Sequence, residues 1–489
     1  MAMAEPCYPV LPDHVIEDIL ARLPAKTVLR CRCLSRAWAA TLSTDDFADR
    51  HLRLANRHGS PRILIMQAAL SRESLPKIHA WSPEHPACTT LMEFHGAVTR
   101  CNRGPLWPLV RRNGRNTDAD NVVPLVVTMQ CRGLVIVEAI GAGLHFVFNP
   151  STGQMAALPE GRHIGFPIPD RRYASLGIGY DTISKKHKVV RVYYRGSDVD
   201  NLPASGAGCE VYVVNSGGLW RPANGGARER PPGWVKQDGK SVFAQGHVHW
   251  LARSKLNPPN KRETWAFIAT FSLSDETFGT VQFPLNEHCN SVLGHYLTEM
   301  GGRLCLISWV LKKVEWSRPH LYYIWLLRRH ETSTWDLHCI IDLDTSSPEV
   351  LRFMHARQFV SPLAMIDNGR RVVLVHVQPR HLQFDSAADF ELCAYNPETG
   401  DMENLLDQSG LLSNQGMVIG QPTFYEESIA YPGQPHEDII FAMSLVLRQM
   451  SKRTLTRLRF VCRSWRAMIE SSDFLEKRRR VLMRSTCRF

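Results

Sequence analysis

Two kinds of hydrophobic spacing divide the chain. Between residues 11 and 54, apolar positions recur every three or four residues, and Ile16, Ile19, Leu20 and Leu23 fall on one helical face. Pro24 lacks the N–H that would continue that helix and ends it. A second helix is expected to begin near Thr27 as its N-cap and to run through Val28, Cys31, Leu34, Trp38 and Leu42, leaving Arg30, Arg32 and Arg36 for its other faces. A segment this short buries too little apolar surface to be stable alone. Its stripes must be covered by the next domain or by another chain.

From about residue 60 to 425 the pattern changes to short runs rich in Val, Ile, Tyr, Phe and Trp, separated by turns with Gly, Asn, Asp or Pro. Gly133 to Val137, Leu144 to Phe148, Lys188 to Tyr194, Glu210 to Val214, Trp265 to Leu273 and Arg371 to Val377 are examples. Strands this frequent, with no helices between them, predict an antiparallel sandwich, barrel or propeller. FNPSTG (Phe148 to Gly153) and YNPETG (Tyr395 to Gly400) repeat a hairpin signature, with FSLSDETF (Phe271 to Phe278) as a looser relative. At ~45 to 50 residues per four-stranded blade, the body has room for six or seven blades. Arg100 to Asp120 and Ser216 to Asp238 lack apolar periodicity and read as exposed loops.

The tail, from about His436, returns to a helical pattern. Between Arg448 and Arg488 it carries thirteen Lys or Arg against Glu470, Asp473 and Glu476, which is most of the +11 charge of the 489-residue chain. Placed 427 residues apart without a gap, Lys26 to Phe47 lies over Arg453 to Phe474, matching Thr27 with Thr454, Arg36 with Arg463, Trp38 with Trp465 and Phe47 with Phe474. The tail is therefore a second, degenerate copy of the head.

Composition narrows the class. With 44% hydrophobic and 21% charged residues the chain is globular rather than disordered. Thirteen scattered cysteines point to a reducing compartment, and Cys31 and Cys33 are too close for a zinc knuckle. The start lacks a signal pattern, and Glu138 interrupts the longest apolar stretch, so no membrane segment is expected.

Candidate chemistry is sparse. His247 and His249 alternate on one strand face, yet no third ligand is marked, so a metal is not expected. GWVKQDGKS, Gly233 to Ser241, has the wrong glycine spacing for a phosphate loop and follows prolines instead of a strand. There is no Gly-x-Ser-x-Gly elbow and no activated Cys or carboxylate pair, so neither catalysis nor a cofactor is expected. Trp220, Trp234, Trp250, Trp265, Trp309, Trp325 and Trp335 are expected mostly in the core, with a recognition face as the other possibility.

LPDHVIEDILARLPAKTVLRCRCLSRAWAATLSTDDFADRHL, Leu11 to Leu52, closely resembles the plant F-box: a Leu-Pro start, an Arg-Leu-Pro-x-Lys turn, an Arg-x-Arg-Cys run, a Trp and a closing Asp-x-Phe. CRGLVIV, VFNPSTGQMAALP, SLGIGYDTISKKHKVVRVYY, VHWLA and RLCLIS resemble plant F-box-associated domains. The resemblance implies an α+β multidomain protein: a helical F-box over 8–54, an all-β, propeller-like associated domain over 60–428 and a degenerate F-box-like helical segment over 434–485. It implies a non-catalytic substrate receptor of a Skp-cullin-F-box ubiquitin ligase, docking a Skp-type adaptor, and through it a cullin, in the cytoplasm, the nucleus or both. Leu11, Pro12, Ile16, Ile19, Leu20, Leu23 and Pro24 would dock, with Val28, Leu29 and Trp38 as support or contact. The tail, which lacks a strict Leu-Pro, is expected to cap the body or the head, with Trp465 near Trp38. The alternatives are a non-degradative scaffold and a nucleic-acid binder acting through the basic tail, the latter the less expected.

Overall fold

The computed structural model describes residues 11–57 and, between 62 and 433, the strands and short turns of the β body. The longer connections, residues 1–10 and residues 434–489 lie outside the described residues. The expected tail helices and the Arg100 to Asp120 loop fall there.

The head has four helices, α1 (Asp13–Leu20), α2 (Ala25–Cys31), α3 (Arg36–Thr41) and α4 (Asp45–Ala55). Pro12 and Pro24 precede the first two as N-caps, positions where a missing N–H costs nothing. The long second helix expected from Thr27 to Leu42 is instead two helices. Ser35 turns extended and its Oγ accepts the Trp38 N–H at 3.1 Å, starting α3 afresh. Thr44 caps α4 through Phe47 N in the same way.

The body is a ring of six antiparallel blades. Blade I holds β1 (Arg62–Ala69), β2 (Lys77–Ser82) and β3 (His85–Glu93); blade II holds β4 (Val123–Val126), β5 (Val135–Ile140), β6 (Leu144–Asn149) and β7 (Gln154–Ala157). Blade III has β8 (Ala174–Asp181), β9 (Lys186–Tyr194), β10 (Ala207–Val213) and β11 (Arg221–Pro222); blade IV has β12 (Trp234–Val235), β13 (Val242–Ala244), β14 (His247–Arg253), β15 (Phe267–Ser272) and β16 (Phe278–Val281). Blade V has β17 (Val292–Met300), β18 (Arg303–Val310), β19 (Leu321–Arg329) and β20 (Thr334–Asp342), and blade VI has β21 (Val360–Ile366), β22 (Arg371–Val377), β23 (Phe390–Tyr395) and β24 (Met402–Asn404). The ring closes when β25 (Gly416–Val418) and β26 (Thr423–Tyr425) pair antiparallel with β1, Arg62 opposite Tyr425.

Each blade is covered on both sides, so its strands read as near-continuous apolar runs. Val189 packs toward blade II while Val190 packs toward blade IV; Val372 faces blade V and Val373 faces blade I. All three recurring hairpins join the last two strands of a blade. In FNPSTG and YNPETG the Asn side chain accepts backbone N–H groups two or three residues on, and Gly153 (φ 76°) and Gly400 (φ 73°) turn the chain back. Ser216 to Asp238 departs from the loop expectation: it supplies β11 and β12, with Trp220 and Val235 buried in blade contacts. Trp250 is likewise core, Trp234, Trp309, Trp325 and Trp335 are half-buried, and Trp265 lies outside the described residues. Among the described residues no helix is long and apolar enough to cross a membrane.

Candidate docking site

The head sits on the propeller face formed by the turns between first and second strands and between third and fourth strands. Arg132, from a turn of blade II, pairs with Asp49 of α4, and Lys185, from the β8–β9 hairpin, reaches Asp46 at 3.3 Å. The main tie is the chain itself. Directly after β26, residues 426–431 form a strap that runs from the ring closure into the head. Ile429 is buried there among Leu20, Ala21, Ala25, Val28, Leu42 and Phe47. Glu427 Oε1 accepts the Ala25 N–H at 2.6 Å, so a carboxylate occupies the positive end of α2, while Glu427 Oε2 lies 3.6 Å from Arg62 Nε. Asn56 accepts the Glu427 N–H and donates to its carbonyl. From the propeller side, buried Asn149 donates to the carbonyls of Ser428 and Ala430 at 2.9 and 2.7 Å. Gly133, at φ +83°, lets the strap pass: a Cβ there would meet Ser428 Cβ at 2.2 Å.

Fixed charges brace the rest of the head. Hydrogen bonds from Arg22 and then Arg50 hold the Asp18 carboxyl below the usual carboxylate range. Burial pulls His51 below the usual imidazole range, and its Nε2 lies 2.9 Å from the Leu23 carbonyl.

This core divides the residues expected to dock. Leu20 and Val28 point inward and are sealed by Ile429; Ile16, Leu23 and Trp38 are half-buried against the same core. Leu11 (52% exposed), Pro12, Ile19 (47%) and Pro24 remain open, and Leu29 is half-buried. Leu34, read from the sequence as a core position of one long helix, is 74% exposed because the α2–α3 break swings it out. The cover that the head's length called for is therefore supplied in part by the same chain. The head's inner face is completed by the strap, and only an outer apolar edge stays open.

The second expected constellation comes out differently. His247 stacks on His330 at 3.9 Å between ring centroids, with His249 edge-on at 5.6 Å, so the fold supplies a third imidazole that the sequence did not mark. Among the described residues, however, no group of His, Cys, Asp or Glu has metal-binding geometry. Cys31, Cys33, Cys131, Cys209, Cys305, Cys339 and Cys393 are free thiols.

Comparison with known proteins agrees with this architecture. Residues 110–405, more than half of the chain, match the F-box associated beta propeller domain, and residues 9–49 and again 441–477 match the F-box domain. Among similar proteins of Arabidopsis thaliana are the F-box protein At1g33530, 24% identical over 330 residues (66% of this chain, 60% of that one), and F-box protein CPR1, 27% identical over 290 residues (56% and 60%). F-box protein At5g10340 is 24% identical over 381 residues, 74% of this chain and 75% of that one. The chain thus spans 60% of the length of the first two relatives. With a helical head of F-box sequence, a six-bladed ring and a second F-box match behind it, the chain belongs to the F-box proteins that carry an F-box associated β-propeller.

Proposed function

We propose that this chain is a non-catalytic substrate receptor of a Skp-cullin-F-box ubiquitin ligase. The observation that carries the reading is the open apolar edge of the head. Leu11, Pro12, Ile19 and Leu34 stay exposed on a domain whose opposite face is sealed by its own strap. Exposed side chains of this size on a rigid helical frame suit a partner that buries them. The adaptor would occupy that edge, and the cullin would follow through the adaptor.

Target binding falls to the propeller. The head occupies one face of the ring, leaving the face on which second strands pass to third strands for a protein to be modified. Catalysis would then come from proximity, since holding a target lysine near a charged conjugating enzyme raises its effective concentration.

The test is co-elution of the full chain with a Skp-type adaptor. Leu11→Ala with Pro12→Ala, and separately Ile19→Asp, should each weaken capture at least tenfold while the propeller stays folded. Undiminished capture by both variants would overturn the assignment of the edge. A target whose abundance does not rise when the proteasome is blocked, although it is captured, would assign a scaffold instead of a receptor.

A further inference from the structure

Between the head and the propeller lies a cleft of about 540 Å³, within the size range of small-ligand sites. Its walls are the α3–α4 turn, the β8–β9 hairpin, the Arg132 turn and the strap. None of the adaptor or target contacts proposed above uses it.

Four cations, Arg32, Arg132, Lys185 and Lys186, and two carboxylates, Asp45 and Asp49, line the space. Arg132 is neutralised by Asp49 and lies 4.0 Å over the Tyr180 ring; Lys185 is turned toward Asp46. Arg32 differs. Its Nε and Nη2 both donate to the Leu42 carbonyl, at 3.1 and 2.6 Å, and no described carboxylate pairs with it. The guanidinium is half-buried, and burial alone pulls its pKa below the usual arginine value. A partly desolvated cation without a counter-charge is unfavourable, and proteins normally supply an anion to such a group. Lys186, exposed on the same hairpin as Lys185, also has no acidic partner among the described residues. The cleft therefore has a surplus of positive charge and two cations with free donors.

We propose that the head–propeller cleft binds a small oxyanion ligand, a carboxylate- or phosphate-bearing metabolite whose charged end rests on Arg32 and Lys186 beneath the strap. Arg32 and Lys186 both line this space, and a guanidinium with an ammonium suits a planar carboxylate or a phosphate through charge-assisted hydrogen bonds. Because the walls come from both bodies, the ligand ties the adaptor-docking head to the propeller. This site is independent of the receptor reading, since its occupancy requires neither adaptor nor target.

Calorimetric titration of the full-length chain tests it, with pyrophosphate and citrate as probes and sodium chloride at matched ionic strength as the control. Saturable binding is expected with at least one probe, and which one binds distinguishes a phosphate from a carboxylate ligand. Arg32→Met, which keeps most of the aliphatic stem, should weaken binding about tenfold, and Lys186→Gln, at an exposed position that does not endanger folding, severalfold. A bound probe should also raise the unfolding temperature of the head. Heats that fail to saturate with either probe, or affinities unchanged in Lys186→Gln and in a folded Arg32→Met, would overturn the proposal.

Discussion

Ile429→Ala offers a direct test of how the head is held. Ile429 is 3% exposed and lies among six buried residues of the F-box core, although it comes from the far side of the propeller sequence. Truncation removes three carbons, which at roughly 1 kcal/mol per buried group with the cavity left behind amounts to about 3 kcal/mol. A head of this size has only about 5 kcal/mol of stability in total, at roughly 0.1 kcal/mol per residue. The substitution should therefore raise local opening of the head about a hundredfold without unfolding the ring. Amide hydrogen exchange on the full-length chain reads this: protection in α2 and α4 should collapse, while β9 and β22 exchange as before. Glu427→Ala, which strips the cap from Ala25 N, should loosen the same helices by about 1 kcal/mol. The two effects should not add, because both residues belong to one strap. Unchanged exchange in α2 and α4 of Ile429→Ala would show that the strap decorates the head instead of completing it.

Three further outcomes follow from the geometry. Gly133→Ala places a Cβ against Ser428 at a positive φ, and should cost about 2 kcal/mol and raise exchange in the strap; a neutral substitution would mean the strap can shift aside. Burial lowers His295 to about 4 and His187 to about 3. The unfolded imidazoles take their protons near pH 6.5 and the folded ones do not until those lower values, so acid favours unfolding from about pH 6.5 downward. His295 alone accounts for roughly 3 kcal/mol between pH 6.5 and 4, and His295→Gln should flatten that part of a denaturant-midpoint profile. Lys188 lies between Asp181 Oδ2 (3.0 Å) and Glu276 Oε1 (3.1 Å); Lys188→Met strips the cation from buried Asp181, while Glu276 keeps Arg221, and should destabilise blades III and IV by about 3 kcal/mol, read as a fall in the thermal midpoint.

Much of this architecture is legible in the residue order because it is written in local chemistry. The short apolar runs and Asn-Pro turns of the body give strands and hairpins without any tertiary information, and the Leu11 to Phe47 pattern gives the helical head. The blade number does not follow from degenerate repeats; it is fixed by ring closure, a pairing of β1 with β26 across the length of the body. The α2–α3 break is hidden for a different reason. Val28, Cys31, Leu34, Trp38 and Leu42 satisfy helical spacing through the break, so only Ser35, as an N-cap signal, could have announced it. Leu20, expected to dock, and Val28, expected as support or contact, both lie inside the head, because nothing in the local sequence reveals that Ile429 covers them.

The strap couples the head to the ring. Only three residues separate the end of β26 from Ile429, so the residue that completes the head is positioned by the strand that closes the ring. During synthesis the F-box emerges before the ring, yet its core cannot be finished until residue 429 has been made and residues 423–425 have paired with β1. A chain with an open ring would present a loosened Ile19 edge, whereas a closed ring fixes Ala25 through Glu427 and holds the frame from which Ile19 and Leu34 project. The outer edge is thus stable only when the propeller is intact. If the head docks an adaptor as proposed, this coupling would favour docking by chains whose propeller is already folded, and it comes from one buried isoleucine and one carboxylate cap.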